Sequence, residues 1–200
     1  MPQVFVVPGR LERWSANFVT RHGATAMNVA DGALVGFAQD GSYFEARLPF
    51  GRAYAGPARI EDFGRACVAP DDWGLILVRK GGFAIGRVSG EKIVDSKVGQ
   101  RHVQGRTKAG GWSQQRFARR RENQAEIAYE AAAGHAQRIL SGCPVVVTGG
   151  DHNGVDRVIE LCGMGGCLVA HLPDVGEPRR GVFEEAVVDA RSVRMSVTNA

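Results

Sequence analysis

Residues 108–121 read KAGGWSQQRFARRR. Two glycines, a tryptophan and two adjacent glutamines lead into four arginines, and no acid falls among them. Gly110 and Gly111 free the backbone for angles that other residues avoid. The residues after them take up helical periodicity, so the stretch reads as a polar loop set on the front of a helix. Ser113 fits the N-cap, its hydroxyl accepting from a free backbone N–H. Gln114 and Gln115 then occupy the helix start, where unpaired N–H groups and the positive dipole end attract anions. Downstream, Phe117, Ala125, Ala128, Ala132, Ala136 and Ile139 recur at three- and four-residue spacing, a stripe suited to packing on a sheet as far as about Leu140. Gly134 weakens that helix by about 1 kcal/mol relative to alanine.

Upstream lies a meander. LILVRK (75–80), FAIGRVS (83–89) and KIVDSKV (92–98) are short β-prone runs parted by Gly81-Gly82 and Gly90-Glu91. Trp73 falls at the start of the first of them as a core residue. Beyond the helix, PVVVTGG (144–150) reads as a buried strand and CLVAHL (167–172) as another strand. Between them Asn153 is placed to cap a helix through Val155–Leu161, with Asp151 and His152 in a turn where capping is the default role. A last helix after Pro178 carries Val182, Phe183, Ala186, Val187 and Ala190. Strands, then helix, strand, helix, strand and helix, predict an α/β (α+β) layered domain with a mixed sheet and flanking helices.

The first 65 residues form a separate elaboration. PQVFVV reads as a strand, and Leu11, Trp14 and Phe18 mark a helix ending at Gly23. ALVGFAQDGSYFEARL reads as a hairpin closed by a two-residue turn at Asp40-Gly41. The Gly- and Pro-punctuated stretch around GRAYAGPARIEDFGRA reads as a connection. The division is therefore 1–65 and 66–200.

Charge is concentrated around the opening stretch. Lys97, Arg101, Arg106, Lys108, Arg116, Arg119, Arg120 and Arg121 give +8 over 25 residues without one acid, within a net charge of +4 for all 200. The rest of the chain is mildly acidic, and the local patch points to a polyanionic partner. A solvated helix face is the plain alternative; the missing acids and the neighbouring tryptophan and glycines favour nucleic acid. Arg116, Arg119 and Arg120 fall on neighbouring positions of the first turns, suited to phosphates on one face. Trp112 offers a ring for stacking on a base, a contact worth about 1–3 kcal/mol.

The four cysteines show neither a zinc spacing nor a disulfide framework, and Cys143 and Cys167 sit beside apolar runs as small hydrophobes. No metal or cofactor is expected. No signal peptide or membrane-length apolar run is present, so the expectation is a cytoplasmic protein that engages no membrane and acts as a monomer.

Glutamine is neither a nucleophile nor a base at neutral pH. It can orient water, and its amide N–H can stabilise an oxyanion, as can backbone N–H groups beside glycines. That suffices for an activated ester more readily than for an amide or a phosphodiester.

The segment GGWSQQRFARRRENQ resembles the catalytic loop and following helix of the class 1 peptide-release factors of eukaryotes and archaea. These carry Gly-Gly-Gln, a serine and an Arg-Phe-Ala-Arg run, matched without a gap by Gly110, Gly111, Ser113, Arg116, Phe117, Ala118 and Arg119. The meander and PVVVTGGDHNGV are similar to the strands on either side. The resemblance covers about residues 70–195, the middle domain of those factors, and implies a ribonuclease H-like mixed sheet. Trp112 stands where those factors have the catalytic glutamine. The pattern looks like the Vms-like release factor family, actinobacterial branch, where a Gly-x-x-Gln spacing occurs; Gly111-Trp112-Ser113-Gln114 satisfies it, which prefers Gln114 over Gln115.

The resemblance implies a ribosome-rescue peptidyl-tRNA hydrolase acting on the large ribosomal subunit. Peptidyl-tRNA would be its substrate, and ribosomal RNA or the tRNA acceptor stem would be held by Arg106, Lys108, Trp112, Arg116, Arg119, Arg120 and Arg121. A tRNA acceptor-end endonuclease, with His102 the nearest acid–base candidate, and a non-catalytic RNA-binding module are the rivals. A metal-dependent nuclease would need clustered carboxylates, and Asp95 with Asp151 are too few. His135 reads as a half-buried surface residue of the long helix.

Overall fold

The computed structural model describes residues 3–79, 82–100 and 112–200, with the side chains of all of these except 112–122. Two compact units emerge: Met1–Ala69 with Val187–Ala200, and Pro70–Ala186. Each is built on its own five-stranded sheet.

The first unit holds β1 (Gln3–Val6), α1 (Leu11–His22), β2 (Thr25–Ala30), β3 (Ala33–Ala38), β4 (Tyr43–Arg47) and α2 (Ile60–Ala66). Its sheet order is β1-β10-β4-β3-β2, antiparallel throughout, where β10 is the last strand, Val193–Thr198. Leu11 and Phe18 of α1 enter a core with Leu34, Phe44, Phe63 and Met195. α1 stops at Gly23, whose φ of +89° suits glycine and whose N–H reaches the Val19 carbonyl at 2.8 Å.

The hairpin turns differ from the sequence reading. Asp40-Gly41 belongs to a three-residue loop. The Ala38 carbonyl accepts from Gly41 N–H at 3.0 Å, and Ala38 N–H donates to the Ser42 carbonyl at 2.8 Å. Asp40 Oδ1 stabilises this longer loop by accepting from Ser42 N–H at 2.8 Å. The two-residue turn is at Asp31-Gly32, with φ of 48° and 71°, and it joins β2 to β3 with Ala30 opposite Ala33. α2 lies in the stretch read as a connection, and its Ile60 and Phe63 are buried. The sequence division places Val193–Thr198 with 66–200, but β10 pairs with β1 and β4 and completes the first sheet, because alternate residues Val193 and Met195 face that core.

The second unit holds β5 (Trp73–Arg79), β6 (Gly82–Ser89), β7 (Lys92–Gln100), α3 (Trp112–Ile139), β8 (Val146–Gly150), α4 (His152–Cys162), β9 (Leu168–Leu172) and the first part of α5 (Arg180–Ala190). Its order is β7-β6-β5-β8-β9. β5, β8 and β9 run parallel, while β6 and β7 join as antiparallel hairpins. This is the expected mixed sheet, with the strand succession of a ribonuclease H-like fold. Central β5 is a nearly unbroken apolar run because both its faces are covered. Trp73 is fully buried and donates its Nε1–H to the Gly90 carbonyl at 3.0 Å.

The Ser113 and Asn153 cap readings are corrected, while capping by Asp151 is as expected. α3 begins at Trp112, so Ser113 lies inside its first turn rather than capping it. α4 is capped by Asp151, whose carboxylate accepts from Gly154 N–H at 3.3 Å, and Asn153 is the second helical residue. Gly150, at φ +105°, delivers the chain to that cap; a Cβ there would lie 2.2 Å from the Val78 carbonyl oxygen. No helix among the described residues is long and apolar enough to cross a membrane.

Candidate nucleic-acid interface

β7 ends at Gln100 and α3 begins at Trp112, so residues 101–111 join an edge strand to a helix N-terminus. Arg106, Lys108, Gly110 and Gly111, together with Arg101 and His102, lie outside the described residues. Trp112, Ser113, Gln114, Gln115, Arg116, Arg119, Arg120 and Arg121 are placed by the α3 backbone. Trp112 to Gln115 make up its first turn, where backbone N–H groups have no helical partner. Arg116, Arg119 and Arg120 stand at i, i+3 and i+4, a single neighbourhood on the helix surface. Arg121 turns about 100° off Arg120.

The other end of α3 is the anchor. Ala132, Ala133, Ala136 and Ile139 are buried in a cluster with Ile76, Val78, Phe83 and Ile85 of the sheet, and Ala128 is buried as well. Alanine lets the helix lie close to these strands. Gln114 stands 14 residues before Ala128, which is about 21 Å along a helix axis. The glutamine turn thus stands well before the buried alanines along the helix.

Polar contacts steady the anchored half. Arg157 of α4 donates from Nε to Glu126 of α3 at 2.8 Å and from Nη1 to Glu160 at 2.7 Å. The hydrogen bonds to Glu126 and then Glu160 push its pKa up, so the guanidinium stays charged. Arg138 of α3 bonds Asp95 of β7 at 3.0 Å. Pairs this exposed are screened by solvent, so they orient the helix more than they stabilise it. α4 approaches α3 where Gly154 faces Tyr129; a Cβ at 154 would come within 3.1 Å of that ring. Sequence reasoning missed Arg157, since 31 residues separate it from Glu126 and no spacing rule links them.

The remaining candidates are occupied by structural roles. Asp95 pairs with Arg138 and Asp151 caps α4, so both carboxylates of the metal-nuclease reading are engaged. No group of three or more His, Cys, Asp or Glu among the described residues is placed to hold a metal. His135 is half-buried against Phe83, with ring centroids 5.6 Å apart. Burial first, then the Lys97 and Arg138 charges, push its pKa down. His152 stacks on His171 at 4.0 Å, and His171 Nδ1 lies 2.9 Å from Thr148 Oγ1. Cys143 is buried and Cys167 half-buried, and all four cysteines are free.

The model of a family described as Actinobacteria/chloroflexi VLRF1 release factor matches residues 71–196. Among solved structures, the chain is similar to a Vms1 mitochondrial localization core, with 12% identity over 92% of this chain and 81% of that one, at a TM-score of 0.44. It is also similar to the archaeal translation termination factor aRF1 (11% identity, 94% of this chain, 65% of that one, TM-score 0.38). Archaeoglobus fulgidus Pelota is a further neighbour (9%, 94%, 63%, TM-score 0.33). The chain spans less than two thirds of each of these two archaeal proteins. No curated protein matches the sequence.

Proposed function

The chain belongs to the Actinobacteria/chloroflexi VLRF1 release-factor family, and from that membership we propose that it is a translation-rescue peptidyl-tRNA hydrolase. It frees nascent chains from tRNA on stalled or split large ribosomal subunits. The observation that carries this reading is the family match over 71–196, which contains the Gly-Gly-x-Ser-Gln loop and the whole helix behind it.

In this reading Gln114, or its neighbour Gln115, orients a water against the ester carbonyl. The water oxygen bonds to the carbonyl carbon, the bond to the tRNA ribose oxygen breaks, one of the water's protons ends on that oxygen and the other leaves to solvent. The products are a peptide carboxylate and an intact tRNA. Glutamine N–H and loop backbone N–H groups stabilise the oxyanion between these steps, and the ester needs no stronger catalyst. Gly110, Gly111 and Ser113 shape the loop for close approach. Arg106, Lys108, Trp112, Arg116, Arg119, Arg120 and Arg121 hold ribosomal RNA or the acceptor stem. The reaction uses no cofactor, and the setting is the cytoplasm.

One observation favours a second reading. Trp112 stands where class 1 factors carry glutamine, which suits a chain that binds without hydrolysing.

The test uses large subunits carrying a labelled nascent chain on tRNA, with wild type, Gln114→Ala and Gln115→Ala. Release that leaves the tRNA 3′ end intact and is lost in one variant is the expected result. A shortened tRNA would make the protein a nuclease, and binding without release would leave an RNA-binding module.

A further inference from the structure

Residues 1–69 lie outside the family match at 71–196, and their arginines are unevenly distributed. This stretch has seven arginines and no lysine. Arg47 pairs with Glu45, while Arg59 and Arg65 share Asp62. Arg52 donates to the carbonyls of Ala66 and Val68 at 3.0 and 2.6 Å. The three that remain, Arg10, Arg13 and Arg21, make no ion pair among the described residues, and all are exposed on or at the start of α1.

They share a face. At 3.6 residues per turn, Arg13, Asn17 and Arg21 follow one another at i, i+4 and i+8, and Arg10 stands one turn before Arg13. Glu12, the acid of this helix, falls on the opposite side. Beside the stripe is an open cleft of about 340 Å³, with Trp14 and Phe18 as aromatic lining, Val4 and Val197 as apolar lining, and Asn17, Arg21 and Asn199 contributing polar groups. Trp14 is half-buried, stacked on Phe18 at 5.5 Å and edge-on to Phe44 at 5.2 Å, so its ring is held in place.

Exposed guanidinium groups suit phosphate oxygens. A fixed tryptophan beside asparagines suits a base, which needs a flat partner and hydrogen-bonding edges. Arginines that track a backbone beside an aromatic platform are what single-stranded nucleic acid requires. We infer that the α1 arginine stripe and the Trp14 cleft form a second RNA-binding surface, which takes an unpaired strand with one base stacked on Trp14. This holds whether or not the loop at 101–111 hydrolyses an ester.

The test separates the two basic regions. The starting chain carries glutamine at all eight basic positions of the 97–121 stretch (Lys97, Arg101, Arg106, Lys108, Arg116, Arg119, Arg120 and Arg121), which silences that patch, and Trp112→Phe, which leaves half-buried Trp14 and fully buried Trp73 as the tryptophans. It is titrated with an oligouridylate of about 12 nucleotides, long enough to cover a site of ordinary size. The expected result is binding that quenches Trp14 fluorescence, with a log–log salt slope near −2 from three contacts at about 0.7 each. Adding Arg10→Gln, Arg13→Gln and Arg21→Gln removes the slope and weakens binding by roughly tenfold or more at low salt, while the melting temperature stays put. Equal affinity and slope with and without the three α1 arginines overturns the inference. So does competition by polyglutamate as effective as by RNA, which would make the stripe a surface for an acidic polypeptide.

Discussion

The two halves of α3 have little in common. Residues 112–124 (WSQQRFARRRENQ) contain four arginines and one acid; residues 125–139 (AEIAYEAAAGHAQRI) contain six alanines and one arginine. The second half is held by burial in the sheet and by the Glu126–Arg157 contact. The first half carries the glutamines and arginines of the proposed site. One continuous helix therefore joins a segment packed on the sheet to a segment rich in positive charge. The division separates stability from function along a single element, and it can be broken from either side.

The largest effect is expected in the first half. Replacing both Gln114 and Gln115 with alanine should slow nascent-chain release by about 10²–10³-fold, the usual cost of an oxyanion donor, with no loss in melting temperature. A comparable fall in melting temperature would mean that the two halves are not separate. Next comes the anchored half. Ala132 is fully buried, so Ala132→Leu should cost about 1–3 kcal/mol in urea unfolding while RNA affinity of the folded chain is unchanged.

The helix that steadies the anchor is a weaker target. Asp151→Ala removes the α4 cap and should cost about 1 kcal/mol, read from the same unfolding curves. Smallest is a pH effect. Arg87 donates to Asp72 from Nε and Nη2 at 2.7 and 2.6 Å and to the Ser141 carbonyl, just past α3, at 3.0 Å. The hydrogen bonds from Arg87 hold the Asp72 carboxyl below its usual pKa. A depressed carboxylate contributes stability above the ordinary value of about 3.9, and that stability is lost as pH falls through the folded value. Stability of the wild type should therefore drop more steeply below about pH 4 than that of Asp72→Asn, measured by denaturation at stepped pH.

Much of the fold could be read from local pattern. The meander, the long helix, the buried strand at 144–150, the partly exposed edge strand at 167–172 and the mixed sheet all follow from runs of apolar residues and their spacing. The misreadings share a cause. Two Asp-Gly pairs occur within ten residues, and local preference does not rank them; Asp31-Gly32 took the two-residue turn because β2 pairs fully with β3, while the Asp40 side chain and Gly41 built the longer loop. α2 was hidden by the glycines and prolines around it, and it forms because Ile60 and Phe63 find a core to enter. The proposed chemistry is read from the sequence, through two glycines, two glutamines and unopposed arginines. The Arg157–Glu126 contact on α3 was not legible, because it spans two helices.

By itself the sequence determined the local elements, the basic stretch and the release-factor-like motif, since each depends on residues within a few positions of one another. The tertiary structure decided what depends on distant residues meeting. It placed β10 in the first sheet between β1 and β4, set Arg157 against Glu126, and left Arg10, Arg13 and Arg21 without an acid partner among the described residues while Arg47, Arg59 and Arg65 were paired. Pairing of edges and charges across tens of residues is settled by burial and geometry, and no periodicity along the chain encodes it.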